Sequence, residues 1–135
     1  MGLVFFLAAV LIVGAILFAV ITMTKGGRAH LDVDAYRSKW LAIEQKLTRD
    51  DAASHQLCIL NADKLLDKAL KEKGIVGTTM GERMKVTKWS NANAVWTAHK
   101  LRNQIAHEAD VKVDYDAARR ALASFKQGLK DIGAV

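Results

Sequence analysis

The residues best suited to chemistry lie in one short stretch, Lys100-Leu101-Arg102-Asn103-Gln104-Ile105-Ala106-His107-Glu108. Arginine carries a permanent charge on a planar fork that matches two phosphate oxygens. Histidine titrates near neutrality and can take up or return a proton at a reacting hydroxyl. Metal-free RNA cleavage needs a base to remove the 2′-OH proton and a cation to hold the charge developing on the phosphate. His107 suits the first task and Arg102 the second. Asn103, four residues before His107, shares its helix face and can orient the imidazole or the substrate. Five helical residues turn through about 140°, so Arg102 and His107 of one copy diverge. From Glu82 to Glu108 there are five Lys or Arg against two acids, with Trp89 and Trp96 between them. Basic groups with stacking rings suit single-stranded RNA, and Lys88, Lys100 and Trp96 are the expected substrate contacts. A structural reading competes with each of these. Arg102 can pair with an Asp of a neighbouring helix, Asn103 can satisfy a buried backbone group, and His107 can close a helix C-terminus. Both tryptophans can be core.

Other candidates carry less. His30, His55, His99 and His107 show no HExxH pattern and no close Cys/His pairing, so no metal and no cofactor are expected. Gly77-Thr78-Thr79-Met80-Gly81 lacks the Gly-Lys-Ser/Thr of a phosphate loop and reads as a turn between helices. Cys58 sits on an apolar helical stripe and reads as a packed small residue. Arg49 and His55 repeat the Arg-to-His spacing, but Arg49 falls at a helix end, so that pair straddles a turn.

Arg102, four intervening residues and His107 match the R-x4-6-H signature of HEPN domains, and RNQIAHE resembles that family closely. HEPN domains are small all-α modules, many of them metal-independent ribonucleases. The resemblance in fold covers roughly Asp34 to Gly133, and the motif itself covers only Arg102 to His107. It implies catalytic roles for Arg102, Asn103 and His107. It also implies a homodimer, because paired HEPN domains bring both motifs into one cleft. The chain departs from the toxin-type pattern at Ala109, where that pattern has Tyr, and Glu108 must turn away from any bound phosphate.

The elements that position these residues are predicted to be helices. The chain has no proline, many alanines and apolar repeats at helical spacing. Tyr36, Trp40, Ile43 and Leu47 form one stripe, with Asp34 as its N-cap. Asp50 or Asp51 caps a helix through Leu57, Cys58, Ala62, Leu65, Ala69 and Leu70, ended by Gly74. Thr79 to Glu82 has capping-box spacing and opens a short helix to about Lys88. Ser90 or Asn91 starts a helix to about Glu108, with Val95, Ala98, Leu101 and Ile105 inward. Asp114 or Asp116 starts the last, with Ala118, Leu122, Phe125, Leu129 and Ile132 inward and Gly133 ending it. The expected fold is all-α, an antiparallel bundle of four long helices and one short one.

Ahead of this bundle, no residue before Lys25 is charged. Leu3 to Met23 is an apolar run whose helical length, about 31 Å, matches a bilayer's hydrocarbon. Met1-Gly2 offers no basic start and AVITMTKGG no good cleavage site, so a retained span is expected rather than a signal peptide. The expected organisation is a transmembrane anchor over 1–24, a linker over 25–33 and a helical bundle over 34–135. Lys25 and Arg28 follow the span, which places the N-terminus outside and the bundle in the cytoplasm. One cysteine in 135 residues excludes a disulfide scaffold, and a single domain-sized bundle leaves little room for a two-domain enzyme. Two function classes stay open. One is a membrane-anchored, dimeric RNA-binding domain or ribonuclease. The other is a non-catalytic membrane-tethered module that recruits a protein or a nucleotide. The net charge of +6 does not choose between them.

Overall fold

Four helices begin where a short polar side chain takes over a first-turn N–H that would otherwise lack a partner. Asp32 accepts from Ala35 at 3.1 Å, Asp51 from Ala53 at 3.1 Å, Thr79 from Glu82 at 3.1 Å and Asp114 from Ala117 at 2.7 Å. The computed structural model describes residues 2–25 and 30–135, with the side chains of 17–25 outside that description. In order, the elements are α1 (Gly2–Lys25), α2 (Val33–Lys46), α3 (Ala52–Glu72), α4 (Met80–Val86), α5 (Ala92–His107) and α6 (Tyr115–Asp131). No strand occurs among the described residues, so the all-α class holds.

Several boundaries differ from expectation for local reasons. Asp32, not Asp34, caps α2, and Asp34 instead lies in the first turn, where a carboxylate favours the helix dipole. Glu82 accepts from the Thr78 N–H at 2.7 Å and the Thr78 hydroxyl at 2.8 Å, one residue before the cap, and the Thr79 backbone beside it also helps hold its pKa down. α4 ends at Val86, which leaves Lys88 in the connection to α5. Asn91 precedes α5 without a side-chain cap, and its amide donates to the Ser124 carbonyl on α6 at 3.1 Å. Gly74 and Gly133 end α3 and α6 as expected, at φ of 81° and 79°. The turns after them close with Ile75 N–H on Leu70 O at 3.1 Å and Ala134 N–H on Leu129 O at 2.8 Å.

α3 is the central element: α2, α4, α5 and α6 all pack on it, and α5 also packs on α6. Its buried face carries Ile59, Ala62, Leu66, Ala69 and Leu70, each inaccessible to solvent. α6 adds Ala118, Leu122, Phe125 and Leu129, α5 adds Val95 and Ala98, and α2 adds Tyr36, Trp40 and Ile43. Leu57, expected inward, is 51% exposed because it lies about 100° around the helix from Cys58. Leu101 and Ile105 are half-buried against the same core.

The expectation of a single-pass membrane protein is corrected. Among the described residues, no helix is long and apolar enough to cross a membrane. The side chains of α1 are described over residues 2–16, all of them exposed. The rest of the expected span, residues 17–23, lies outside the described side chains. The membrane as partner through residues 3–23, the N-out orientation and the cytoplasmic placement fall with the span. The linker expected over 25–33 lies partly outside the described residues, and α2 already begins at Val33.

Candidate functional site

α5 places residues three and four apart on one face, so His99, Arg102 and Asn103 stand together. Opposite them, α3 inserts Asp63 beside Ala62 on its largely apolar buried face, and Asp63 is only 3% exposed. A buried carboxylate needs donors or an opposite charge to remain ionised. His99 Nδ1 lies 2.7 Å from Asp63 Oδ1. Arg102 Nε lies 3.4 Å from Asp63 Oδ2, an ion-pair distance, but its N–H is not aligned for a hydrogen bond and stays buried without one. The Arg102 side chain is nevertheless 37% exposed. Its Nη1 donates to Asn103 Oδ1 at 3.0 Å, so the inner edge faces α3 while the outer edge turns towards Asn103.

Asn103 and His99 line a groove of about 730 Å³ together with Trp96, Lys100 and Gly81 of α4. Trp96 is half-buried and meets His99 edge-on at 6.1 Å between ring centroids. Lys100 is exposed. The groove thus presents an aromatic face, a lysine, an amide and an imidazole, with the Arg102 fork bonded at its rim. Of the expected residues, the structure brings together Arg102, Asn103, Lys100 and Trp96. It does not bring Lys88 there: Lys88 is exposed in the connection between α4 and α5 and is not part of the groove lining. His107, the last residue of α5, is exposed. It stands about 7.5 Å further along the axis than Arg102 and about 140° around it. Trp89 is half-buried against the core and donates its indole N–H to Met84 O at 3.0 Å.

Sequence reasoning missed Asp63 and His99. The signal was present: an acid interrupts the buried stripe of α3, and a histidine precedes Arg102 by three residues. It did not stand out because partner choice across helices is not written in either local pattern. Another groove, of about 280 Å³, runs between α2 and α3 and is lined by Lys39, Lys46, Lys64 and Lys68. Lys68 beside it pulls the Lys39 pKa down from its ordinary value, as two ammonium groups crowd each other.

The remaining candidates are occupied structurally. Cys58 is 2% exposed, its thiol points at Ile43 O at 3.4 Å, and burial pushes its pKa up. Arg49 lies over the Tyr115 ring at 4.4 Å. The ring nitrogens of His55 lie 3.0 Å from Val113 O and 2.8 Å from Thr48 O, so either tautomer ties α3 to a neighbouring loop. The glycine-rich segment is a turn. Arg83 donates to Gly77 O at 2.7 Å and to Asp67 at 3.0 Å, and a Cβ on Gly77 would meet Arg83 at 2.9 Å.

Compared with protein-family models, with curated proteins and with solved structures, the chain matches none.

Proposed function

We propose that this chain is a HEPN-like antiparallel helical module that binds single-stranded RNA and cleaves it without a metal when two copies pair. The observation that carries the reading is the Arg102 guanidinium. Its inner edge is held towards buried Asp63, and its outer edge meets Asn103 at the rim of a groove that also holds Trp96 and Lys100. A guanidinium oriented from behind loses less freedom when it takes a phosphate, and a tryptophan beside it offers a base a stacking face. Arg102 holds the phosphate, Asn103 orients it, Lys100 adds charge, and His107 moves a proton. Because His107 points away from Arg102 on its own helix, the reading needs a second copy to bring the two together.

A second reading, a non-catalytic module that binds a nucleotide or a protein, is supported by the same Asp63 contact. An arginine pairing with a buried acid also makes sense as helix-to-helix glue.

The test is incubation of the full chain with a single-stranded oligoribonucleotide in EDTA. Cleavage is expected, falling by about 100-fold or more in Arg102→Ala and in His107→Ala, with circular dichroism unchanged. Binding without cleavage, at concentrations where copies pair, would support the second reading instead. A chain that neither binds nor cleaves the RNA would reject the first reading.

A further inference from the structure

We infer that His99, oriented by Asp63, is the base that removes the 2′-OH proton, a role the motif alone does not assign to it. The inference rests on the ribonuclease reading above. Asp63, 3% exposed on α3, can only accept a hydrogen bond when ionised, so the 2.7 Å contact with His99 Nδ1 places the ring proton on Nδ1. The neutral ring then presents Nε2 as a free lone pair, directed away from Asp63. Nε2 has no protein partner among the described residues, and it is not one of the buried unpartnered atoms, so it is not fully sealed from solvent. The side chain is 12% exposed and lines a groove together with Trp96, Lys100 and Asn103. A ring held from behind by a buried carboxylate, in the wall of a groove and with one nitrogen unpartnered, is the arrangement a general base needs.

The charged and titratable groups around the ring agree with that task. Asp63 faces it from α3, Lys100 and Arg102 flank it on α5, and Gly81 of α4 brings no charge. Both cations favour an anionic substrate beside Nε2. Position along the helix separates the two histidines. His99 precedes Arg102 by three residues, about 4.5 Å of rise, whereas His99 and His107 are eight apart, about 12 Å. One copy therefore sets His99 and Arg102 at the same phosphate, but not His99 and His107.

In the step, the 2′-OH proton passes to His99 Nε2 as the 2′-oxygen bonds to phosphorus. The bond from phosphorus to the 5′-oxygen breaks, and that oxygen leaves with a proton from His107 of a paired copy. The products are a 2′,3′-cyclic phosphate and a 5′-hydroxyl. His99 touches the reacting hydroxyl and is catalytic, whereas Asp63 acts through it and is a positioning residue.

The test compares His99→Asn, His99→Ala and Asp63→Asn in the full chain, in EDTA. The probes are a single-stranded oligoribonucleotide and its 2′-deoxy counterpart, which binds but cannot be cleaved. Asn can still donate to Asp63 but offers no imidazole base. His99→Asn is expected to keep its helicity and to bind the deoxy probe within about threefold, yet cleave RNA about 100-fold or more slowly. Added imidazole is expected to restore part of the rate to His99→Ala. Nitrogen NMR of the wild-type chain is expected to find the neutral His99 proton on Nδ1, a preference lost in Asp63→Asn together with cleavage. Wild-type cleavage that survives undiminished in His99→Asn would overturn the inference and leave the ribonuclease reading intact. Loss of cleavage without imidazole rescue would also overturn it. A wild-type chain that binds RNA but never cleaves would overturn this inference and the catalytic half of the reading, and one that neither binds nor cleaves would overturn both.

Discussion

Asp63 is the residue on which the α5 site depends. At 3% exposure it faces two groups from a neighbouring helix, the His99 ring at 2.7 Å and the Arg102 Nε at 3.4 Å. Removing one member of a buried charged set leaves the others desolvated and unpaired, which costs more than the set contributes net. Asp63→Ala is therefore expected to lower the unfolding free energy by about 2–4 kcal/mol, tempered by the partial exposure of Arg102. Asp63→Asn, which keeps the shape and one acceptor, is expected to cost less; denaturant unfolding of both variants checks the order. That Arg102 and Asn103 stand together on α5 was legible in the sequence because their spacing is local. Asp63 and His99 were not, because their contact joins positions 36 residues apart and depends on how α3 and α5 cross. The two tryptophans show the same limit. Both looked like stacking rings, yet Trp89 commits its N–H to Met84 while Trp96 lines the groove.

At the scale of elements, helix starts and stops were the most legible feature. Thr79 caps the helix expected of it, Asp51 and Asp114 are the ones of two candidates each that cap theirs, and Gly74 and Gly133 end theirs. The exceptions have physical reasons. α5 has no side-chain cap because Asn91 is turned towards α6, and its approach is fixed instead by Ser90 on Asp131. Asp131 Oδ2 accepts from the Ser90 N–H at 2.8 Å, and Oδ1 accepts from the Gln127 amide at 3.0 Å. Burial alone would raise the Asp131 pKa, but those donors together hold it below the usual aspartate value. A carboxyl whose pKa is lower in the folded than in the unfolded chain stabilises above its unfolded value, and that stabilisation disappears as pH falls through the folded value. Asp131→Asn is thus expected to lose stability at neutral pH, by about 1 kcal/mol once solvent screening is allowed for. The gap from wild type should close as the solution is acidified below the normal aspartate range. Thermal unfolding of both proteins across that range checks it, and a gap that stays constant or widens in acid would contradict the assignment.

For the whole molecule, the charge of +6 is not spread evenly. Lys39, Lys46, Lys64 and Lys68 line the groove between α2 and α3, while Lys100 lies in the α5 groove and Arg102 reaches its rim through Asn103. Composition announced a basic chain but not where its lysines gather, because each lysine alone resembles a solvated helix face. The N-terminal run shows the opposite failure. Its local signal was the strongest in the sequence, yet among the described residues no helix is long and apolar enough to cross a membrane. In the proposed function, RNA phosphate meets the outer edge of Arg102. The most direct measurement is equilibrium binding of a labelled single-stranded 2′-deoxy oligonucleotide to the full chain across a salt series, for wild type and Arg102→Ala. Each cation on the strand contributes to the salt slope, about 0.7 per phosphate neutralised. Weaker binding by Arg102→Ala, with a slope shallower by about 0.7, is predicted. An unchanged affinity and slope in a variant that remains folded would contradict the account.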